Sequence, residues 1–513
     1  MKALIRTLTI SLCFLSVVAF ASPIPQLAPP GPRKGKSIVR LDPKETRDAA
    51  SAEDITRRPF IAMPNTAGWG NWRLCNDAAE DVEPAIIRAQ RSNPQGNPID
   101  TTMVAYMKRF ANGKYRLNAL FTDGDTYVPN PGPLPLPAPY TTSADPIVAA
   151  NPYNDGTNPR SYYVVGTVQA YTGTGGSLQN GIMLWWLRDG EIVWQQTVLA
   201  VNTDTTMFDD KPWVTVSWYP PDRGWVWATY VKVPILGGSN STIYVYRSID
   251  GVNFGQMPGT ISAPGIHSPT ILVDSNTGVV YLLYVSYLDN KIYITNTTNG
   301  GVSWAAPVGF DAASATEPFL APNTGDLVCD SSNVCIVART LLHARYNAVD
   351  HSIGVVWHRR EPNSTKTDVY FNSYSTTSSP PGWRGVKKVN SSSSTNDQWN
   401  GALDYDLNGH YIVAWYDRRD DPNNRQYAVY ATMLNAAGDR LEWIDTQVSP
   451  GRPGYNYDPT IYEPYTGRNA ILLGEYHDIW SWYDPVNSRM VWQTGDVGFW
   501  ANQGDIWNDQ IQP

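Results

Sequence analysis

Seven short stretches of this 513-residue chain open an apolar run with a polar side chain, charged or titratable in all but Asn400. They are Glu83-Pro-Ala-Ile-Ile, Asp145-Pro-Ile-Val, Asp210-Lys-Pro-Trp-Val, His267-Ser-Pro-Thr-Ile, Arg345-Tyr-Asn-Ala-Val, Asn400-Gly-Ala-Leu and Glu475-Tyr-His-Asp-Ile. Carboxylates held together raise one another's pKa, which suits a general acid, and an arginine clamps a substrate carboxylate bidentately. Tyr416 and Tyr476 add phenols that can act as nucleophile or base when a proton acceptor is near. Arg359, Arg418 and Arg419, in His358-Arg-Arg360 and Tyr416-Asp-Arg-Arg419, would overhang the same place as substrate-binding groups.

Each of these residues also has a structural reading. An Asp or Glu before a strand commonly bonds turn amides, and Asp417 with Arg418 or Arg419 would make an inter-blade salt bridge. His267, His343 and His477 would serve as hydrogen-bonding loop residues, and Tyr476 as core. No cofactor is required by any motif; a divalent cation such as calcium, held by the ring carboxylates, stays open.

The elements that must bring these groups together are short strands. In Asn400–Leu434, Gly401 to Tyr405 and Tyr411 to Tyr416 read as strands around a turn carrying Asn408-Gly409, and Tyr427 to Leu434 reads as a third, so the unit is a meander. The seven openings recur at roughly 55 to 75 residues, a propeller-like repeat with inserted loops. Further strands follow the openings, as at Thr102 to Lys108, Tyr162 to Val168, Val279 to Tyr287 and Met490 to Gln493. An all-β, seven-bladed β-propeller of four-stranded antiparallel blades is the economical fold, with six blades the alternative. Each sheet is too small to bury itself, and radial packing buries both faces. Proline at the start of an inner strand is tolerated there. The region Glu317 to Thr340 fits no unit and reads as an inserted hairpin.

Thr297-Thr-Asn-Gly-Gly-Val-Ser-Trp304 resembles an Asp-box, the turn of bacterial-neuraminidase repeats in sialidase-like propellers, with Asn299 in place of aspartate. Ser248-Ile-Asp-Gly-Val-Asn-Phe254 and Phe121-Thr-Asp-Gly-Asp-Thr-Tyr127 resemble shortened versions. The resemblance covers most of residues 80 to 510. It implies that Asp123, Asp250, Asn299, Trp304 and Phe254 are scaffold, on the face opposite the site. It also implies a carbohydrate-active protein, either a sialidase-like exo-glycosidase or a lyase of uronate polysaccharides. Hydrolysis needs paired carboxylates; β-elimination needs a Tyr or His base with Arg or a cation neutralising the uronate. The arginine-isoleucine-proline signature of sialidases is absent near the first strand, so no catalytic role transfers residue by residue. A non-catalytic propeller that binds glycans or proteins through aromatic side chains is the alternative class.

Composition agrees with this class of fold: 40 Gly, 40 Pro, 20 Trp and 30 Tyr favour many turns and aromatic-rich strands over helices. The formal net charge of −8 excludes a large duplex-nucleic-acid footprint. Lys2 and Arg6 precede an apolar run from Leu8 to Phe20, and Ala19-Phe20-Ala21 supplies a cleavage signature, so residues 1–21 read as a signal peptide. Residues 22–60 read as a disordered Pro-rich and charged leader, and 61–513 as the propeller domain with its inserted hairpin near 317–340. The expected protein is secreted and extracellular, has no membrane span, is a monomer, and meets an extracellular glycan or glycoconjugate. Export suits a disulfide between Cys329 and Cys335, spaced like the arms of a small hairpin, which leaves Cys75 over. Asn240, Asn296, Asn363 and Asn390 head sequons that would carry glycans if the source secretes through an endoplasmic reticulum.

Overall fold

The computed structural model describes residues 70–73, 81–92, 98–109, 115–122, 127–128, 133–152, 159–172, 177–235, 240–321, 327–329, 335–362, 364–391, 396–424, 426–441, 446–448, 463–465, 468–471, 477–484, 489–500 and 503–511. The signal and leader segments, Cys75, Asp123, Asn363, Glu475 and Tyr476 lie outside them.

The chain is an all-β propeller. Six sheets are meanders, each cut from one continuous stretch, with inner strands Asp81–Ser92, Thr142–Asn151, Met207–Val216, Ile266–Val273, His343–Asn347 and Gln398–Tyr405. These are blades 1 to 6, and the count corrects the expected seven. The stretch assigned to a seventh meander is built differently: Asp478–Asp484, Arg489–Trp500 and Gln503–Ile511 take Gly70–Arg73, from the start of the chain, as their outer strand. Pairing strands from both ends of the chain lets this sheet close the ring, and its inner strand packs against those of blades 1 and 6.

Blades are held by apolar faces that alternate along each strand. Val165 and Leu184 of blade 2 pack with Val214 and Ala228 of blade 3, and Val356 and Phe371 of blade 5 pack with Leu403 and Trp415 of blade 6. Fully burying each such side chain is worth about 1.5–3 kcal/mol, so every blade depends on its neighbours. Between blades 4 and 5, Leu327–Cys329 and Cys335–Val337 form a hairpin in which the Cys329–Cys335 disulfide bridges paired residues. The hairpin pairs in parallel with Arg468–Ile471, while Ile336 and Ala338 pack onto Trp399 and Tyr416.

Turns between third and fourth strands are tied by one side chain each. Asp250 accepts the amides of Val252 and Asn253 at 2.9 and 2.8 Å, and the Oδ1 atom of Asn299 accepts the Ser303 amide at 3.1 Å. Trp304 donates its indole N–H to the Gly259 carbonyl at 3.2 Å, which pins the second turn to the preceding blade connection.

One glycosylation expectation is corrected. Asn390 is fully buried, and its amide donates to Asp368 at 2.7 Å and to Gln398 at 3.2 Å, so a glycan there would have to break the blade 5–6 seam. Asn240 is exposed and Asn296 half-buried. In a host that glycosylates, Asn240→Gln is expected to speed migration on a gel without changing stability. Asn390→Gln should leave migration unchanged and cost about 1–3 kcal/mol in urea unfolding, because it strands buried partners.

Candidate active site

Five inner strands carry the same irregularity. Glu83, Asp145, Lys211, Ser268 and Asn400 have left-handed φ of 54, 56, 45, 52 and 48°. At each, the pairing with the second strand skips a residue, as between Ala144 and Ile147 or Asp210 and Trp213. These are β-bulges, which break the ladder and re-aim a side chain. The following residue is proline in four blades, where the missing N–H costs no ladder bond, and Gly401 in blade 6. Glycine is required there because a Cβ would lie 2.5 Å from Val356 Cγ2. A non-glycine residue held left-handed costs roughly 1–3 kcal/mol, and such strain concentrates at functional sites.

The bulges corrected the register of two candidates. Charge alone aligns Asp210 and His267 with Glu83 and Asp145, but the structural equivalents are the residues just before proline, Lys211 and Ser268. Asp145 and Lys211 therefore meet across blades 2 and 3, ammonium on carboxylate, with Thr167 Oγ1 donating to the other carboxylate oxygen at 3.1 Å. Lys211 was not anticipated; the position of Pro212 is the signal that would have found it.

Asp210, shifted by one, pairs with His267 Nε2 at 3.2 Å and accepts the Lys211 amide at 2.9 Å. Burial pushes its carboxyl up, but Lys211 and His267 together overcome this and hold it below the ordinary range. His267 Nδ1 is buried with no hydrogen-bond partner among the described residues. A carboxylate thus orients one ring nitrogen and leaves the other unengaged, the arrangement a general base needs.

The third charged group centres on Asp478, also unanticipated although it lies within the seventh opening. Its Oδ1 meets His343 Nε2 and Arg345 Nη2, both at 2.9 Å, and its Oδ2 accepts the Ile86 amide at 3.1 Å. Burial raises its pKa, and Arg345, then His343, bring the net shift down. Arg345 also lies over Trp213 and Trp480, 5.7 and 5.9 Å from the ring centroids.

His343 and His358 are cross-links. His343 Nδ1 accepts the Leu403 amide at 3.3 Å while Nε2 serves Asp478; His358 Nδ1 accepts the Asn400 amide at 3.3 Å while Nε2 donates to the Ala338 carbonyl at 3.1 Å. With both nitrogens used, neither is available as a base. Burial lowers His343, helped by Arg345, and pushes His358 down to about 4 and His477 to about 3, so all three are neutral at pH 7.

The axial cavity is lined by members of the first and third of these groups and by Ser268, next in the chain to His267. Asp145, Lys211, Trp213, His343, Asn400 and Asp478 are among the residues lining it, and Leu341 and Leu342 form an apolar part of its wall. Its volume is about 40 Å³, by the measure in which one water needs roughly 10–15 Å³, so as it stands it admits a few waters and no sugar ring.

Other expected site residues lie elsewhere. Glu83 is buried in blade 1 at the bulge, where Ala85 is the wall residue of the cavity. Tyr416 is fully buried among Trp399, Tyr427 and His477, which corrects its assignment as a nucleophile: no substrate reaches it. The substrate-binding arginines are corrected likewise. Arg359 bridges to Glu317 at 2.5 Å and stacks on Tyr370; Arg418 is fully buried, 3.5 Å from Asp397 and over Trp399; Arg419 bonds Asp417 and lies over Tyr430. Among the described residues no three His, Cys, Asp or Glu side chains converge as metal ligands. The carboxylates of Asp145, Asp210 and Asp478 are bonded to cationic or imidazole groups, which does not fit a calcium cage.

No protein-family model and no curated protein matches the chain. Solved structures do match. The Hadza microbial sialidase Hz136 is 12% identical over 65% of this chain and 64% of its own, just under two thirds of that sialidase, with a TM-score of 0.39. The α-L-arabinofuranosidase Arb93A from Fusarium graminearum is 11% identical over 72% of this chain and 98% of its own, with a TM-score of 0.39. An endo-arabinase from Bacteroides thetaiotaomicron is 12% identical over 58% and 95%, with a TM-score of 0.31. No helix among the described residues is long and apolar enough to cross a membrane.

Proposed function

We propose that this is a secreted, monomeric carbohydrate-active propeller that degrades extracellular glycans at the mouth of its axial cavity, by hydrolysis or by β-elimination from uronate residues. The observation that carries the reading is the array of buried ionisable groups around the axis: Asp145 with Lys211, Asp210 with His267, and Asp478 with His343 and Arg345. Taking such groups out of water costs several kcal/mol per ion, which a purely structural axis avoids by using apolar side chains. Within the array His267 is the base, oriented by Asp210, and Arg345 and Lys211 supply positive charge for a uronate or a developing oxyanion. Asp250 and Asn299 keep the scaffold role of Asp-box residues.

The test is incubation of the secreted protein with sialosides, plant gums, pectins and algal glycans, following reducing ends and the absorbance of unsaturated uronate together. Product is expected from the wild type and should fall in His267→Ala. Unsaturated product identifies a lyase, and reducing ends alone a hydrolase. A second reading, a non-catalytic glycan binder, is favoured by the depressed pKa values of Asp210 and Asp478, which deprive them of a role as proton donors, and by the small cavity. It predicts silence across the panel with binding retained on a glycan array.

A further inference from the structure

A second recess lies away from the axis. A groove of about 430 Å³ opens between blades 5 and 6, on the face formed by turns that join first to second and third to fourth strands. Its size falls within the range of small-ligand sites. Val349, Asp350 and Arg384 line it from blade 5, and Asn408, His410 and Ala436 from blade 6.

The polar groups in it are pre-positioned. Arg384 Nη1 donates to Asp350 Oδ2 at 2.6 Å and to the Ala436 carbonyl at 3.2 Å, which fixes the guanidinium across the seam. Asp406, buried beneath the groove, accepts the Asn408 and His410 amides, both at 2.8 Å, and lies 3.2 Å from His410 Nδ1. That contact places the Nδ1 proton toward Asp406 and leaves Nε2 as an acceptor. The Asn408 side chain is exposed at the lip, and Val349 and Ala436 supply aliphatic surface.

The geometry points to a second ligand site, for a neutral, hydroxyl-rich ring such as a terminal sugar of a glycan. Each charge is already met within the groove, Arg384 by Asp350 and Asp406 by turn amides and His410, so no unmatched cation is present to favour a phosphate or carboxylate. What remains is a mixture of donors and acceptors beside an apolar wall, the pattern that suits vicinal hydroxyls and the C–H face of a pyranose. The site is separate from the axial groups and does not depend on the proposed axial chemistry.

Saturation-transfer NMR on the full secreted chain tests it, with methyl β-D-galactopyranoside, methyl α-D-mannopyranoside and the sodium salt of methyl β-D-glucuronide as probes. At least one neutral glycoside is expected to bind, at least tenfold more weakly in Arg384→Met and in Asn408→Tyr, and unchanged in the charge-free axial double variant Asp145→Asn/Lys211→Met, which leaves no buried ion without its partner. Asn408→Tyr guards against misfolding, since the folded turn uses only the backbone of this exposed residue. The inference is overturned if no neutral glycoside binds, if the glucuronide binds tenfold better, or if both groove variants bind as the wild type does. Loss of binding in the folded Asp145→Asn/Lys211→Met double variant with retention in the groove variants would place the sugar at the axis and also overturn it.

Discussion

Replacing Lys211 with methionine is expected to destabilise the fold by about 3–5 kcal/mol, because it leaves the Asp145 carboxylate buried without its cation. Asp145 and Lys211 are each 8% exposed, so water cannot stand in for the missing ammonium. Thr167 continues to donate to Asp145, but one hydroxyl does not offset the desolvation of a carboxylate. Methionine keeps the length of the aliphatic stem and meets the same left-handed backbone, so the change isolates the charge. The double variant Asp145→Asn/Lys211→Met should recover most of the loss, since an amide has no charge to compensate and can still take the Thr167 hydroxyl. Urea unfolding of the wild type, both single variants and the double variant gives the coupling between the two sites. A Lys211→Met protein within about 1 kcal/mol of wild type would mean that water reaches the pair in solution.

The second large effect is in pH dependence. His358 has a folded pKa of about 4, lowered by burial, against about 6.5 for an unfolded histidine. Between these values the unfolded chain binds a proton that the folded chain does not, so stability falls as pH falls. The contribution is fully present above about pH 6.5 and declines by about 1.4 kcal/mol per pH unit until the folded pKa is reached. His343 and His477 are shifted in the same direction. Burial pushes Asp209 up to about 6 and Glu361 up to about 7, and these two groups act with the opposite sign. The measurement is therefore a difference, wild type against His358→Gln, since glutamine can donate to the Ala338 carbonyl and accept the Asn400 amide without titrating. The stability of wild type relative to His358→Gln should fall by about 2 kcal/mol between pH 7 and pH 5. Parallel pH curves for the two proteins would refute the buried, neutral cross-link.

Much of the architecture was legible in the chain because it rests on local signals. Period-two strands, glycine and asparagine turns, and an X-Pro recurring in four of the inner strands specify antiparallel meanders regardless of distant contacts. The Cys329–Cys335 hairpin and the side-chain-tied turns at Asp250 and Asn299 are local in the same sense. The closing sheet was not legible, because the pairing of Gly70–Arg73 with Gln503–Ile511 joins opposite ends of the chain and no short pattern encodes it.

The site was legible in residue type and misread in register. Aligning on the charged residue placed Asp210 and His267 in the ring, whereas aligning on proline places Lys211 and Ser268 there. In a strand one residue is the difference between two faces, and the bulge decides which. Arg418 shows the same limit in another form: a cluster of arginines beside a loop reads as a substrate clamp, yet the guanidinium lies buried over Trp399, 3.5 Å from Asp397. The sequence by itself determined which side chains were present and the strands that carry them. Only the tertiary structure decided which charges face each other across blades, because an ion pair between neighbouring inner strands depends on bulge register and ring closure, and both are set by packing far along the chain.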